Sequence, residues 1–347
     1  MFGSSRLTRG TIVRWALGPV FGTLIVWATS PWFMRSYHSR VFDPVCEAWV
    51  YPLSTHYRWR SEGYATTTIG RHGMPGRTEL PPPTTKTIVA LWGDSQAEGV
   101  CVDDRQKLWS QLERRLTELP GNTLAVLPMG RSGEDAADWT GRFKSTEQHL
   151  GVTKHVVLVC ELNDLSPLTH LPPESLDGTL AVSSDAALMD WIPDFVVHAA
   201  RGLLMESSSN RVRRLRFGVG PVTMAIANTA RPAGAEATGL PVFPAAEIAS
   251  QLHQATTKPL TIIYAPNLPV VMGGEIRRND DHADEFASLA IELERRGIEV
   301  IDCRESFAQS ADQGRFPHGF HNGHIGSGHL NTTGYQLITD AVAEQSN

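Results

Sequence analysis

A serine follows a predicted buried strand directly, in a position where its hydroxyl could meet a ligand. The run Thr87–Trp92 is apolar and rich in β-branched residues, which is typical of a buried strand, and Gly93-Asp94-Ser95 comes next. Polar side chains at the carboxyl ends of strands in an open α/β sheet lie in the crevice where such folds bind ligands. The alternative interpretation is that Asp94 or Ser95 only caps the helix predicted after Gly99.

An asparagine occupies an equivalent place after a second predicted strand. The run His155–Cys160 is largely apolar, and Asn163-Asp164 follows it closely. A turn after the strand would also explain this pair. Because Ser95 and Asn163 both come at strand ends, the pattern favours one shared site at the carboxyl edge of the sheet.

Four short blocks, taken in order, resemble those of the SGNH or GDSL-type hydrolases. The blocks are Gly93–Gly99, Met129–Asp135, Cys160–Asp164 and Gly328–Gly334. Each block is short, so only the ordered set is specific. The resemblance covers two stretches of the chain, residues 87–165 and 258–345.

The resemblance implies a role for four residues. Ser95 would be the nucleophile and His329 its base, because histidine exchanges protons near neutral pH. Backbone N–H groups of Ser95 and Gly133, with the side-chain amide of Asn163, would form an oxyanion hole. Preorganised donors of this kind contribute about 3 kcal/mol each to transition-state stabilisation. The alternatives are an ordinary loop glycine at Gly133 and a helix-start residue at His329.

The last block departs from the family three residues before His329. Family members usually carry an aspartate there, which orients the imidazole, whereas this chain has Gly326. A backbone carbonyl could orient the histidine instead, giving a Ser–His dyad. Alternatively another acid reaches it, for which the candidates are Asp302, Asp312 and Asp164. The third explanation is an impaired site.

Several histidines lie close together just before the last block, which raises the question of a metal site. They are His318, His321, His324 and His329. The segment is rich in glycine and lacks the i, i+4 helical pairing of a metallohydrolase motif. We therefore expect neither a metal nor another cofactor, and we expect the histidines to line the cleft.

Composition agrees with an α/β enzyme. The chain has 347 residues, of which 41% are hydrophobic and 20% charged, and its net charge of −6 gives no basic surface for nucleic acid. Its four cysteines have no metal-like spacing. For Cys160 and Cys303, which lie in or after apolar strand-like runs, we expect buried thiols.

Strand and helix signals alternate along the chain, which predicts a parallel sheet. The resemblance implies a three-layer α/β sandwich with a flavodoxin-like parallel central sheet over residues 87–347. Residues 35–86 are predicted to be a linker or packing segment. An insertion at about residues 166–257 interrupts the domain, and its apolar stretch Ala187–Met205 fits either a core helix or a cap over the site.

The N-terminus predicts a membrane anchor in residues 1–34. Trp15–Met34 is uncharged and mostly apolar, and Arg6, Arg9 and Arg14 precede it. This pattern predicts one transmembrane helix over residues 15–34, with a cytoplasmic tail and the domain outside the cytoplasm. A cleaved signal peptide and a buried core helix are the alternatives.

The resemblance and the anchor together predict a membrane-anchored, extracytoplasmic ester hydrolase. Its substrate would be a small acyl ester or an acylated glycan, attacked through an acyl-serine intermediate. A glycan O-acetyltransferase with the same site is one alternative. A non-catalytic glycan-binding relative is the other, and Gly326 motivates it.

Overall fold

The protein was analysed as a computed structural model, which describes residues 9–33, 36, 38, 40–60, 62–118, 123–165, 243–272 and 274–345. The strands are β1 (Val41–Asp43), β2 (Ala48–Val50), β3 (His56–Arg58), β4 (Thr66–Thr68), β5 (Thr87–Trp92), β6 (Leu124–Pro128), β7 (Lys154–Val159), β8 (Leu260–Tyr264), β9 (Val270–Met272), β10 (Glu275–Arg277) and β11 (Glu299–Asp302). The helices are α1 (Arg9–Phe33), α2 (Ser95–Glu98), α3 (Leu108–Thr117), α4 (Ala136–Leu150), α5 (Ala245–Ala255), α6 (Ala283–Glu294), α7 (Arg304–Asp312) and α8 (Thr332–Gln345).

A five-stranded parallel sheet forms the centre of the domain. Its strand order is β11-β8-β7-β5-β6, and every neighbouring pair is parallel. When only the strands of this sheet are counted in chain order, β5 is the first, and the order from β6 to β11 is the flavodoxin-like 2-1-3-4-5. The second strand lies on one side of β5 and the later strands lie on the other. The predicted parallel sheet is confirmed, and its switch point lies between β5 and β7.

Helices cover both faces of this sheet and make a three-layer sandwich. Helices α4, α5 and α6 bury aromatic and branched side chains such as Trp139, Ile248 and Phe286 against one face. Helices α3, α7 and α8 cover the other face with Leu112, Phe307 and Ile338 among others. Strands β5, β7 and β8 are buried on both sides, which explains why their sequences are continuous apolar runs rather than alternating ones, whereas the edge strand β11 is partly exposed.

The segment before β5 is packed against the sheet domain. Its strands form two antiparallel pairs, β1 with β2 and β3 with β4. Tyr57 and Ile69 pack with Val100 and Cys101, which follow α2. Cys46 and Met74 extend the core on the α4 face. The described part of residues 40–80 is therefore part of the folded domain.

Helix α1 covers most of the stretch for which a membrane span is predicted. Within the described residues, no helix has both the length and the apolar character needed to cross a membrane. The transmembrane helix predicted over residues 15–34 is thus not supported by the structure. The predicted insertion lies largely outside the described residues; its last part is described and forms α5.

Candidate active site

Ser95 lies at the start of α2, directly beyond the carboxyl end of β5. Asp94 is the N-cap of that helix, since its carboxylate accepts the N–H of Gln96 at 2.9 Å. The turn between strand and helix needs glycine at position 93, where φ is +141° and a Cβ would lie 2.7 Å from the carbonyl oxygen of Leu158. Asp94 therefore caps the short helix α2 and not the helix predicted after Gly99, which is α3 and has Lys107 at its N-cap. Ser95 itself is partly exposed.

His329 faces Ser95 across the carboxyl edge of the sheet. Its Nε2 atom lies 3.1 Å from the hydroxyl oxygen of Ser95, which is hydrogen-bonding distance. The two residues are 234 positions apart in the chain. The fold therefore brings together the two residues that the resemblance implies as nucleophile and base.

Glu62 occupies the other side of the imidazole. Its Oε2 lies 2.5 Å from Nδ1 of His329 and accepts the backbone N–H of the same residue at 3.1 Å. The edge of Trp59 contacts the ring, with centroids 6.1 Å apart. A carboxylate on Nδ1 keeps a proton there, so Nε2 is left unprotonated toward Ser95.

Asn322 holds the backbone beside Glu62. Its side-chain oxygen accepts the N–H of Gly63 at 2.7 Å, and its amide nitrogen donates to the carbonyl of Gly63 at 2.9 Å. Gly328 leaves room for the carboxylate, because a Cβ there would lie 2.4 Å from Oε1 of Glu62. The loop that carries His329 therefore also positions the acid.

The three acids suggested by the sequence lie elsewhere or have other neighbours. Asp302 forms an ion pair with Arg304 at 2.7 Å, and Asp312 pairs with Arg278. The acidic neighbours that act on Asp164 include Asp94 and Glu161. The carboxylate that contacts Nδ1 of His329 is therefore that of Glu62, in the segment before β5, and not that of Asp302, Asp312 or Asp164.

The predicted oxyanion donors all lie beyond the carboxyl ends of sheet strands. Ser95 begins α2, so its N–H has no partner within that helix. Gly133 follows β6 with φ of +83° and is exposed, and Asn163 is exposed in a 3₁₀ turn after β7. The backbone N–H of Ser132 donates to Glu98 at 2.9 Å, which ties the Gly133 loop to α2.

The loop bearing His329 is fixed by buried hydrogen bonds on both sides. Gln96 accepts the N–H of Leu330 at 2.7 Å, and its carbonyl accepts the hydroxyl of Tyr335 at 2.6 Å. Asn331 accepts the N–H of Thr333 at 2.9 Å and so caps α8. Helix α2 and the histidine loop are thus joined through Gln96.

Acidic groups lie close to one another around Asp94, the residue before Ser95. Burial raises the pKa of Asp94, while its hydrogen bond to Gln96 and the nearby His329 act in the opposite direction. Burial, followed by the charges of Asp94 and Glu161, raises the pKa of Asp164 to about 7. A carboxyl that titrates near neutrality and interacts with Asp94 adds a pH-dependent charge to this edge.

The four clustered histidines differ in their burial and in their contacts. His318 is buried and its Nε2 lies 3.1 Å from the carbonyl oxygen of Pro266; burial lowers its pKa to about 4. His321 and His324 are exposed. His329 is therefore the member of this group that contacts Ser95.

Sequence reasoning missed Glu62. It lies in a polar stretch with no strand-end placement, and the residue that it contacts is 267 positions away. The available signal is the aromatic residues Tyr57, Trp59 and Tyr64 on either side of it, which are typical of a segment that packs against a core.

Comparisons with known proteins give structural likenesses only. No protein-family model matches the chain, and no curated protein matches it. A lipase/acylhydrolase structure from Enterococcus faecalis shares 13% identity at a TM-score of 0.38, covering 75% of this chain and 94% of that one. A mutant acetylxylan esterase from Geobacillus stearothermophilus shares 10% identity at a TM-score of 0.39, with the same coverage.

A third matched structure, from Desulfitobacterium hafniense, is assigned to the G-D-S-L family of lipolytic proteins. It shares 13% identity at a TM-score of 0.34, covering 75% of this chain and 99% of that one. Likeness at this level of identity and TM-score does not establish a function. Function must therefore be argued from the geometry of the site.

Proposed function

We propose that the protein is a serine ester hydrolase in which Ser95 is the nucleophile, His329 the general base and Glu62 the positioning acid. The observation that carries the proposal is a continuous series of hydrogen-bonding contacts. Oε2 of Glu62 lies 2.5 Å from Nδ1 of His329, and Nε2 of His329 lies 3.1 Å from the hydroxyl oxygen of Ser95. A serine, a histidine base and an orienting carboxylate are recognised as a catalytic set by this geometry.

The reaction would proceed through an acyl-serine. The hydroxyl oxygen of Ser95 attacks the ester carbonyl while Nε2 of His329 takes the hydroxyl proton. His329 then gives this proton to the departing alcohol. The N–H groups of Ser95 and Gly133 and the amide of Asn163 would bind the developing oxyanion. Water, activated by His329, releases the acid and restores the serine.

The position of Glu62 favours a catalytic site over a non-catalytic relative. That alternative rested on Gly326, which leaves the usual position of the orienting acid empty. With a carboxylate already on Nδ1, the imidazole is held in the tautomer that a base needs. An acylated glycan remains a candidate substrate, and a sugar hydroxyl in place of water would make the same site a transferase.

The test is turnover of a short acyl ester, p-nitrophenyl acetate, by purified wild type and Ser95→Ala. We expect the variant to lose at least about 10³-fold in kcat with an unchanged circular dichroism spectrum. A fluorophosphonate probe should label the wild type and leave the variant unlabelled. Equal turnover and equal labelling in both proteins would contradict the proposal.

A location outside the cytoplasm and attachment to a membrane through α1 are also part of the proposal. Trp15, Phe21 and Ile25 on that helix are 75%, 60% and 63% exposed, and apolar surface of this extent favours contact with lipid. We expect the full chain to stay with membranes after a carbonate wash. Recovery of the intact chain in the wash would contradict attachment.

A further inference from the structure

We infer that Glu62, Cys101 and His329 form a zinc-binding site that switches off the proposed nucleophile. Metal binding itself is independent of the proposed function, whereas its inhibitory consequence rests on it. The inference uses Cys101, a buried thiol that the proposed reaction leaves without a role.

The geometry of the three side chains fits a small divalent ion. One carboxylate oxygen of Glu62, the sulfur of Cys101 and a ring nitrogen of His329 lie within 4.8 Å of one another. Zinc binds oxygen, sulfur and imidazole nitrogen at about 2.0–2.3 Å, so modest side-chain movement would bring all three into one coordination sphere. The thiol is buried, while the side chains of His329 and Glu62 are 23% and 25% exposed, which gives an ion access from their side.

A second trio, Asp43, Cys46 and His72, has similar spacing but a less favourable charge environment. The guanidinium groups of Arg131 and Arg142 act on the Cys46 thiol, and arginine keeps its positive charge at any ordinary pH. The cation that interacts with Cys101 is instead Lys107, whose ammonium group donates to Thr67 and to the backbone carbonyls of Gly99 and Val102. The trio around Cys101 thus has one cation, already held by other acceptors, where the trio around Cys46 has two guanidinium groups, and it is the better site.

Zinc at this site would disable the base. Nε2 of His329 faces Ser95 and Nδ1 faces Glu62, so Nδ1 is the nitrogen on the metal side. A neutral imidazole carries one proton, and a metal on Nδ1 places that proton on Nε2. Nε2 would then donate to the hydroxyl of Ser95 and could no longer accept its proton.

Cobalt(II) is the probe for binding, because a cobalt–thiolate bond gives a charge-transfer absorption that reports the sulfur ligand without any turnover. We expect this absorption in wild type and in Cys46→Ser, and its loss in Cys101→Ser and Cys101→Ala. Cys46→Ser is the matched control for Cys101→Ser, since it removes the thiol of the other trio. No absorption in wild type, or loss in Cys46→Ser with retention in Cys101→Ser, would overturn the inference.

Inhibition is measured with buffered free Zn²⁺ and p-nitrophenyl acetate, each variant being compared with its own metal-free rate. The zinc concentration for half inhibition should rise at least tenfold in Cys101→Ser and stay within twofold in Cys46→Ser. An unchanged value in Cys101→Ser would mean that zinc acts elsewhere, for example at the exposed His321 and His324, and would reject the site. Cobalt binding by a protein whose Ser95→Ala variant still turns over ester would instead reject the proposed function alone.

Discussion

At the scale of single residues, the proposed mechanism depends most on Glu62. A carboxylate on Nδ1 fixes the tautomer and stabilises the imidazolium that forms when Ser95 gives up its proton. Glu62→Gln should therefore lower kcat for p-nitrophenyl acetate by about 10²- to 10⁴-fold. Asp302→Asn and Asp312→Asn are the matched controls, since these acids pair with arginines elsewhere, and both should keep wild-type rates. A fully active Glu62→Gln would leave a Ser–His dyad as the explanation.

Restoring the usual aspartate of the family should fail. At Gly326 φ is +78°, and a Cβ would lie 2.6 Å from a methyl carbon of Val271. The Gly326→Asp variant should thus lose about 1–3 kcal/mol of stability through backbone strain and crowding, without a gain in rate. Thermal melting and ester turnover of the same preparation test both parts, and a faster variant with an unchanged melting temperature would contradict them.

Asp164 should make stability depend on pH in an unusual direction. Its carboxyl has a pKa of about 7 in the folded chain against 3.8 as its ordinary value. Between these values the unfolded chain is ionised and the folded chain is not, so stability falls as pH rises from about 4 to 7. Asp164→Asn should remove this loss and be about 1–2 kcal/mol more stable than wild type at pH 8, after allowance for solvent screening. At pH 3.5, wild type and Asp164→Asn should have the same free energy of unfolding, measured by urea unfolding.

At the scale of elements, the sequence predicted the strands of the sheet but did not predict that Glu62 belongs to the site. The apolar runs that predict β5, β7 and β8 are buried on both faces, so their signal is local and strong, whereas β11 is shorter and partly exposed. Ser95 and Asn163 were found because strand ends are readable from those runs. Glu62 was not, because only a long-range contact between the β3–β4 segment and the histidine loop gives it a role.

The contact between these two loops depends on Asn322, which bonds to both backbone groups of Gly63. Asn322→Ala should let Glu62 shift, and a displacement of about 1 Å can cost 10²-fold in rate. We expect a 10- to 100-fold lower kcat with little change in KM or melting temperature. His321→Ala, an exposed neighbour on the same loop, is the control and should keep its rate.

At the scale of the whole molecule, the segment before β5 is joined to the sheet domain by packing as well as by the site. Lys107 is fully buried and donates to Thr67 of β4 at 2.9 Å and to the carbonyl of Val102 at 3.1 Å. It also contacts the carbonyl of Gly99, where α2 ends. One side chain thereby connects the segment that carries Glu62 to the helix that carries Ser95.

A chain that begins at Pro83 should therefore be neither stable nor active, whereas one that begins at Arg40 should be both. The shorter chain lacks Glu62 and the buried side chains of Tyr57, Ile69 and Met74. Each such side chain contributes about 1.5–3 kcal/mol, and their sum is comparable with the whole stability of a domain, about 5–15 kcal/mol. Melting curves and turnover of both chains test this. A cooperative transition and wild-type turnover in the shorter chain would show that the sheet domain alone suffices, and would remove Glu62 from the proposed mechanism.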